Sequence, residues 1–158
     1  MEVEFDVNID TGVLYDYMLR HTYSSGYGIL GSALGALGIV MYLMNGYPLY
    51  LVFGGILLIY QPVSLYLRAK KQALNPMFQK PLHYRMSEKG VAVSREGEEQ
   101  FRRWEDMYRA VSTGRSLILY TGKANANIFP RKDLGEKQVD VIAMISKHMP
   151  PKKVQIRM

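Results

Sequence analysis

The sequence predicts an α+β membrane protein, in which a transmembrane helical hairpin precedes a cytosolic antiparallel β-meander closed by a C-terminal helix. Three observations lead there. From Tyr27 to Leu67 there is no Asp, Glu, Lys, Arg or His. After that run, apolar residues recur at every second position in short segments divided by turn signals, then at helical spacing near the C-terminus. Charge is also segregated. One Arg stands against five carboxylates in residues 1–67, a net −4, whereas residues 68–158 hold 19 basic and 9 acidic groups, a net +10. The mean hydropathy of −0.10 averages this segregation away.

The charge-free stretch divides into Tyr27–Met44 and Pro48–Leu67, 18 and 20 residues. At about 1.5 Å per residue these helices reach roughly 27 and 30 Å, the thickness of a hydrocarbon core. Buried helices of a soluble bundle keep one polar face, and neither run has one. Asn45, Gly46 and Tyr47 leave room only for an antiparallel turn. That turn carries no positive charge, while Arg20 precedes the first helix and Arg68, Lys70, Lys71 and Lys80 follow the second. The positive-inside rule then sets both termini in the cytoplasm of a multi-pass cell (inner) membrane protein. Tyr27, Tyr42, Tyr47, Tyr50, Tyr60 and Tyr66 fall toward the ends of the runs, as an interfacial aromatic belt does. Gly31, Gly35 and Gly38 form a small-residue face containing a G-x-x-x-G, which suits close helix approach. It serves either a homodimer or packing on the second helix of the same chain. The short turn, and Gly54-Gly55 on that second helix, favour the latter.

Around the hairpin (27–67) the sequence divides into an N-terminal strand and helix (1–26), a basic juxtamembrane segment (68–80) and a cytosolic domain (81–158). The acidic start Met1–Asp6 lacks the basic n-region of a cleavable signal peptide. Val3, Phe5, Val7 and Ile9 alternate with Glu4, Asp6 and Asn8, a half-buried strand too small to stand alone. Asp10 is the N-cap of a helix to about Thr22, with Val13, Leu14, Tyr17, Met18 and His21 on one side. The second helix is expected to run a turn or two past Leu67 and stop before Pro76. Strands are then expected at Leu82–Met86, from Val91, at Glu99–Trp104, Tyr108–Ser112, Ser116–Thr121 and Ala124–Phe129, with turns at Glu88-Lys89-Gly90 and Arg95-Glu96-Gly97. A helix at about Gly135–His148 buries Val139, Ile142, Ile145 and Met149 and is ended by Pro150-Pro151. The tail Lys152–Arg157 adds a short strand or stays unstructured.

The segments Tyr84-Arg85-Met86-Ser87-Glu88-Lys89-Gly90-Val91, Trp104-Glu105-Asp106-Met107-Tyr108 and Ile128-Phe129-Pro130-Arg131-Lys132-Asp133-Leu134, set behind a two-span hairpin, resemble the bacterial YcxB-like family. The resemblance implies that the cytosolic domain is an antiparallel sandwich or barrel of the pleckstrin-homology (PH-like) type. It implies no catalytic residue.

Chemistry-bearing motifs are scarce. The absence of Cys removes disulfides, thiolate metal sites and Cys nucleophiles. His21, His83 and His148 are isolated, and no P-loop, G-x-G-x-x-G or G-x-S-x-G occurs. The turn holding Glu88, Lys89, Arg95, Glu96 and Glu98 is nearly neutral, unlike the basic first hairpin of inositol-phosphate-binding pleckstrin-type domains. Trp104, beside Arg102-Arg103, reads as a core residue rather than a stacking platform. Glu98-Glu99 and Glu105-Asp106 read as a solvated face. No enzyme, cofactor, metal or nucleic-acid partner is therefore expected. The candidate surface is basic: Arg68, Lys70, Lys71 and Lys80 at headgroup level, extended by Arg102, Arg103, Arg131 and Lys132, with Lys152 and Lys153, if the fold gathers them. The expected function is a membrane-tethered binding or regulatory module that contacts a protein partner or the anionic inner leaflet. The alternative is an immunity protein against a membrane-acting toxin.

Overall fold

β1 (Val3–Val7) is the first strand of a sheet whose other members lie far along the chain. It pairs antiparallel with β2 (Leu82–Ser87), so that Val7 faces Leu82 and Val3 faces Met86. The computed structural model describes residues 2–95, 97–123 and 125–157. Glu96 and Ala124, which the sequence assigns to a turn and a strand start, lie outside the described residues, as do Met1 and Met158. Between β1 and β2 run α1 (Thr11–Tyr23), α2 (Gly26–Asn45) and α3 (Pro48–Ala73). The sheet continues with β3 (Gly90–Arg95) and β4 (Glu98–Arg103) in the order β1-β2-β3-β4. A second sheet holds β5 (Arg109–Ser112), β6 (Ser116–Tyr120), β7 (Ala126–Pro130) and β8 (Val154–Gln155) in the order β7-β6-β5-β8. α4 (Arg131–Leu134) and α5 (Gln138–His148) follow β7. The fold is α+β.

Local chemistry accounts for the element ends. Asp10 has an extended backbone, and its carboxylate accepts from the Val13 N–H at 2.8 Å, filling one of the orphan donors of α1. α2 closes on Gly46, whose φ of 71° is the left-handed conformation that glycine adopts at no steric cost. Pro48 opens α3 at a position where its missing N–H has no helical partner to lose. α3 continues through Pro62 to Ala73, six residues past the apolar run, and Asn75-Pro76 starts a separate 3-10 turn.

The two sheets share one core. Phe5 and Tyr84 of the first sheet meet Phe129 of the second edge-on, at 5.3 and 4.9 Å between ring centres. Burial follows the predicted alternation on β1 and β2. Trp104 turns the chain from one sheet to the other; it is buried, and its Nε1–H donates to the Ser87 carbonyl at 2.9 Å. That meets the need of a buried indole for a partner.

Two expectations are corrected. Val139 is 71% exposed, and the inward face of α5 is Val141, Met144 and Ile145. Two helical residues subtend about 200°, so Val139 and Val141 point to opposite sides. The tail does add a strand, but β8 runs parallel to β5, since α5 carries the chain back to the end where β5 begins.

Because β1 supplies Val3, Phe5 and Val7 to the core, residues 80–158 alone lack a strand of their own sheet. That fragment should show no cooperative thermal melt and a poorly dispersed amide spectrum; a sharp melt would show that β1 is dispensable.

Candidate functional site at the hairpin–domain junction

The junction is built from α1 and the end of α3. Leu65 and Ala69 on α3 are buried, and Ala69, fully so, belongs to the same cluster as Val13 and Leu14 of α1. Tyr15 meets Tyr66 edge-on at 5.5 Å. On its other side α1 touches β6 and β7. Asp16 accepts from the Thr113 hydroxyl at 2.6 Å, and Asp133 accepts from the Asn8 N–H at 2.7 Å. Lys137 donates to the Glu4 carbonyl at 2.7 Å. Asp10 pairs with Lys132 at 2.6 Å. The Lys132 ammonium, and the Val13 and Gly12 N–H groups, hold the Asp10 carboxyl below its usual range against the opposing effect of burial; Lys132 is raised in return. The hairpin is thereby packed on α1, and α1 with the segment before it is fastened to the sheet domain by short polar contacts.

Within the hairpin the glycines act inside one chain. A Cβ on Gly38 would lie 2.9 Å from the Gly54 Cα, and one on Gly54 would lie 2.7 Å from the Gly35 carbonyl oxygen. Gly35, Gly38 and Gly54 therefore mark the backbone crossing of α2 and α3. Gly31 sits beside Gln61 at the edge of that crossing.

Beneath α1 lies a polar cluster that sequence reasoning missed. The Arg109 guanidinium stands 4.5 Å above the Tyr120 ring, a cation–π arrangement. Tyr17 and His21 each lie 6.1 Å from the same ring. Burial raises the Tyr17 hydroxyl. His21 Nδ1, Arg109 Nε and the Tyr120 hydroxyl have no hydrogen-bond partner among the described residues, the situation that ordered water usually resolves. Strand periodicity makes Tyr120 a core residue but carries no sign of what lies over it.

The fold does not bring the eight basic candidates together. Arg68, Lys70 and Lys71 are exposed on α3, and Lys80 is exposed just after the 3-10 turn. Lys132 is paired with Asp10, and Arg131 donates to the Arg157 and Thr113 carbonyls at 2.7 and 3.4 Å. Lys153 donates to the Met107 carbonyl at 3.1 Å. Arg102 and Arg103 lie at the end of β4 opposite to the one nearest α3. The register explains this: β2 starts beside the junction at Leu82, so β3 starts at its far end, and β4 returns there at Arg103, which faces Gly90.

At that far end His148 stacks on Trp104, with ring centres 5.3 Å apart. Its Nε2 is 3.0 Å from a Glu88 oxygen, and Lys147 binds the same carboxylate at 2.9 Å. The Lys147 hydrogen bond pulls the Glu88 carboxyl down to about 2. Glu88, Trp104 and His148, with Lys89, Phe101, Arg103, Glu105, Pro150 and Lys153 around them, line an open groove of 690 Å³. Of these groups the sequence singled out Trp104 as core; nothing in it ties His148 to Glu88. Among the described residues no group of three or more His, Cys, Asp or Glu is placed to hold a metal ion.

Residues 87–145 match the family model described as YcxB-like protein. Over that segment the chain is similar to the YcxB-like family. The matched part runs from the end of β2 into α5 and so contains Trp104, Arg109, Tyr120 and the Pro130-Arg131-Lys132 exit from β7. No curated protein and no solved structure matches the chain.

Two outcomes follow from the junction. Replacing Asp10 by Ala should lower the stability of the full chain in detergent by about 1 kcal/mol through the lost cap, and Asp10→Asn should recover most of it. Because the folded carboxyl lies below its unfolded value, its ionic contribution is present at neutral pH and fades as pH falls through the folded pKa; the parent should converge with Asp10→Asn in acid melts, while Asp10→Ala, which has no cap at any pH, stays below Asp10→Asn. Gly54→Leu should destabilise the hairpin by about 1–3 kcal/mol, the usual cost of overpacking, read as earlier loss of helical signal on heating in micelles.

Proposed function

We propose that this YcxB-like chain is an integral inner-membrane protein whose hairpin spans the bilayer with both termini cytoplasmic. In this reading it is a tethered binding module whose two-sheet domain is held against the anionic inner leaflet. The observation that carries this reading is the bare surface of the hairpin. Core helices of a soluble protein are mostly covered, whereas the apolar windows of α2 and α3 are 17% and 11% buried. Ile29, Leu34, Leu37, Leu43, Phe53 and Ile59 all stand exposed. In water so large a patch promotes association; in lipid it is matched to its solvent, and the helices satisfy their own backbone groups.

The basic residues support the orientation. Arg68, Lys70 and Lys71 follow the apolar part of α3 directly, and the Asn45–Tyr47 tip is uncharged. Burial of Ala69 among them limits how far that helix end moves relative to the sheets. Near an anionic leaflet each Lys or Arg contributes about 1 kcal/mol, screened over a Debye length of about 8 Å at physiological salt. Two packed sheets with a C-terminal helix are also what a pleckstrin-homology-type sandwich needs, which supports a ligand-recognition role rather than transport.

The reading has two tests. The full chain should stay with membranes after alkaline carbonate washing, and a reporter active only outside the cytoplasm, fused after Met158, should be silent. Release by carbonate or an active reporter would overturn the topology. In nanodiscs at low salt the full chain should melt higher with anionic than with neutral lipid, and Arg68→Gln/Lys70→Gln/Lys71→Gln should abolish the difference. Equal melting in both lipids would reduce these charges to topology determinants.

A further inference from the structure

β4 is an open sheet edge with an unusual charge order. Among the described residues it pairs with β3 alone, and all six of its residues are exposed. Glu98-Glu99 begin it, Arg102-Arg103 end it, and Gln100-Phe101 lie between. Phe101, at 51% exposure, is the sole exposed large hydrophobic among the described strand residues. Glu99 is held on one side by Arg85 at 2.6 Å. Arg102 and Arg103 have no ion pair among the described residues.

Edge strands invite pairing, and natural proteins usually block it with charge. Here the order of the signs decides which pairing is blocked. Backbone groups point to one edge from every second residue only, so a two-fold antiparallel pair must have its axis through a residue. An axis at Glu99 or Arg102 sets like charges opposite each other, and in-register parallel pairing stacks Glu on Glu and Arg on Arg. An axis at Gln100 sets Glu98 opposite Arg102 but leaves Glu99 opposite Phe101; with the axis at Phe101, Glu99 faces Arg103 of the second copy at both ends, Gln100 faces its Arg102, and the two Phe101 rings meet on one face.

We propose that β4 pairs antiparallel with β4 of a second copy of this chain about a two-fold axis at Phe101, joining their two first sheets into one. That axis crosses β4 at a right angle, so the pairing holds both hairpins in one bilayer when the axis lies along the bilayer normal and β4 runs along the membrane surface. A single strand pair is a small interface beside the usual ~1,600 Å², so the dimer is weak in dilute detergent. Confinement to a membrane raises the local concentration of the second copy. That last step rests on the membrane reading, which carbonate extraction tests separately.

The chain has no Cys, so a single introduced thiol reports contacts cleanly. Phe101→Cys in the full chain, oxidised in native membranes, should give about tenfold more disulfide-linked dimer than Val139→Cys, an exposed control on α5. In the Phe101→Cys background, Glu99→Arg or Arg103→Glu alone should cut the yield about tenfold, since like charges then face each other twice. Both reversals in one chain should restore it. Equal crosslinking at positions 101 and 139, a yield indifferent to either reversal, or no recovery in the double reversal would overturn the proposal.

Discussion

The ladder between β1 and β2 is the constraint on which the rest of the molecule depends. It joins Val7 to Leu82, so the whole helical hairpin is an excursion between two neighbouring strands of one sheet. Closing so long a loop costs little more than closing a shorter one, since the entropy grows only with the logarithm of length. Inside the loop α2 and α3 already lie together at the Gly35–Gly38–Gly54 crossing, and α1 lies on α3 through Tyr15, Tyr66 and Ala69. The apolar hairpin is thus a built-in part of the sheet domain, entered and left through strands that touch.

This arrangement makes the junction the mechanical centre of the molecule. Force or rotation applied to the hairpin reaches β6 through α1, where Asp16 holds Thr113 and where Tyr17 and His21 lie against Tyr120. It reaches β2 through the end of α3 and the Pro76–Phe78 turn. The His21, Arg109 and Tyr120 atoms that have no hydrogen-bond partner among the described residues sit in this same layer. Groups left so in a low-dielectric site are costly unless water fills the place.

Charge is distributed along the molecule in three separate settings. At the junction Asp10 and Lys132 neutralise each other. Arg68, Lys70 and Lys71 stay open to solvent beside the apolar surface. At the opposite strand ends Glu88 is held by Lys147 and faces His148, while β4 carries its acidic and basic residues at opposite ends. A net charge of +6 is therefore not one basic face but a local field around α3, with nearly balanced surfaces elsewhere.

Much of the architecture was legible in the sequence because it rests on local rules. The uncharged run Tyr27–Leu67, the Asp10 cap, the Gly46 turn, the alternation on β1 and β2, and a core Trp104 each follow from periodicity or backbone preference within a few residues. The division into two sheets, the parallel placement of β8 and the exposure of Val139 do not, because each depends on where the chain has already been carried by other elements. The same holds for the candidate surface. Sequence identified every basic residue, but strand register alone separates Arg102 and Arg103 from Arg68, and tertiary neighbours tie down Arg131 and Lys132. Likewise, Glu88 and His148, or Tyr120 and Arg109 with His21, become sites only when distant segments meet. Composition and spacing determine which elements form; long-range packing decides which side chains share an environment, since contact between remote positions leaves no periodic trace in the sequence.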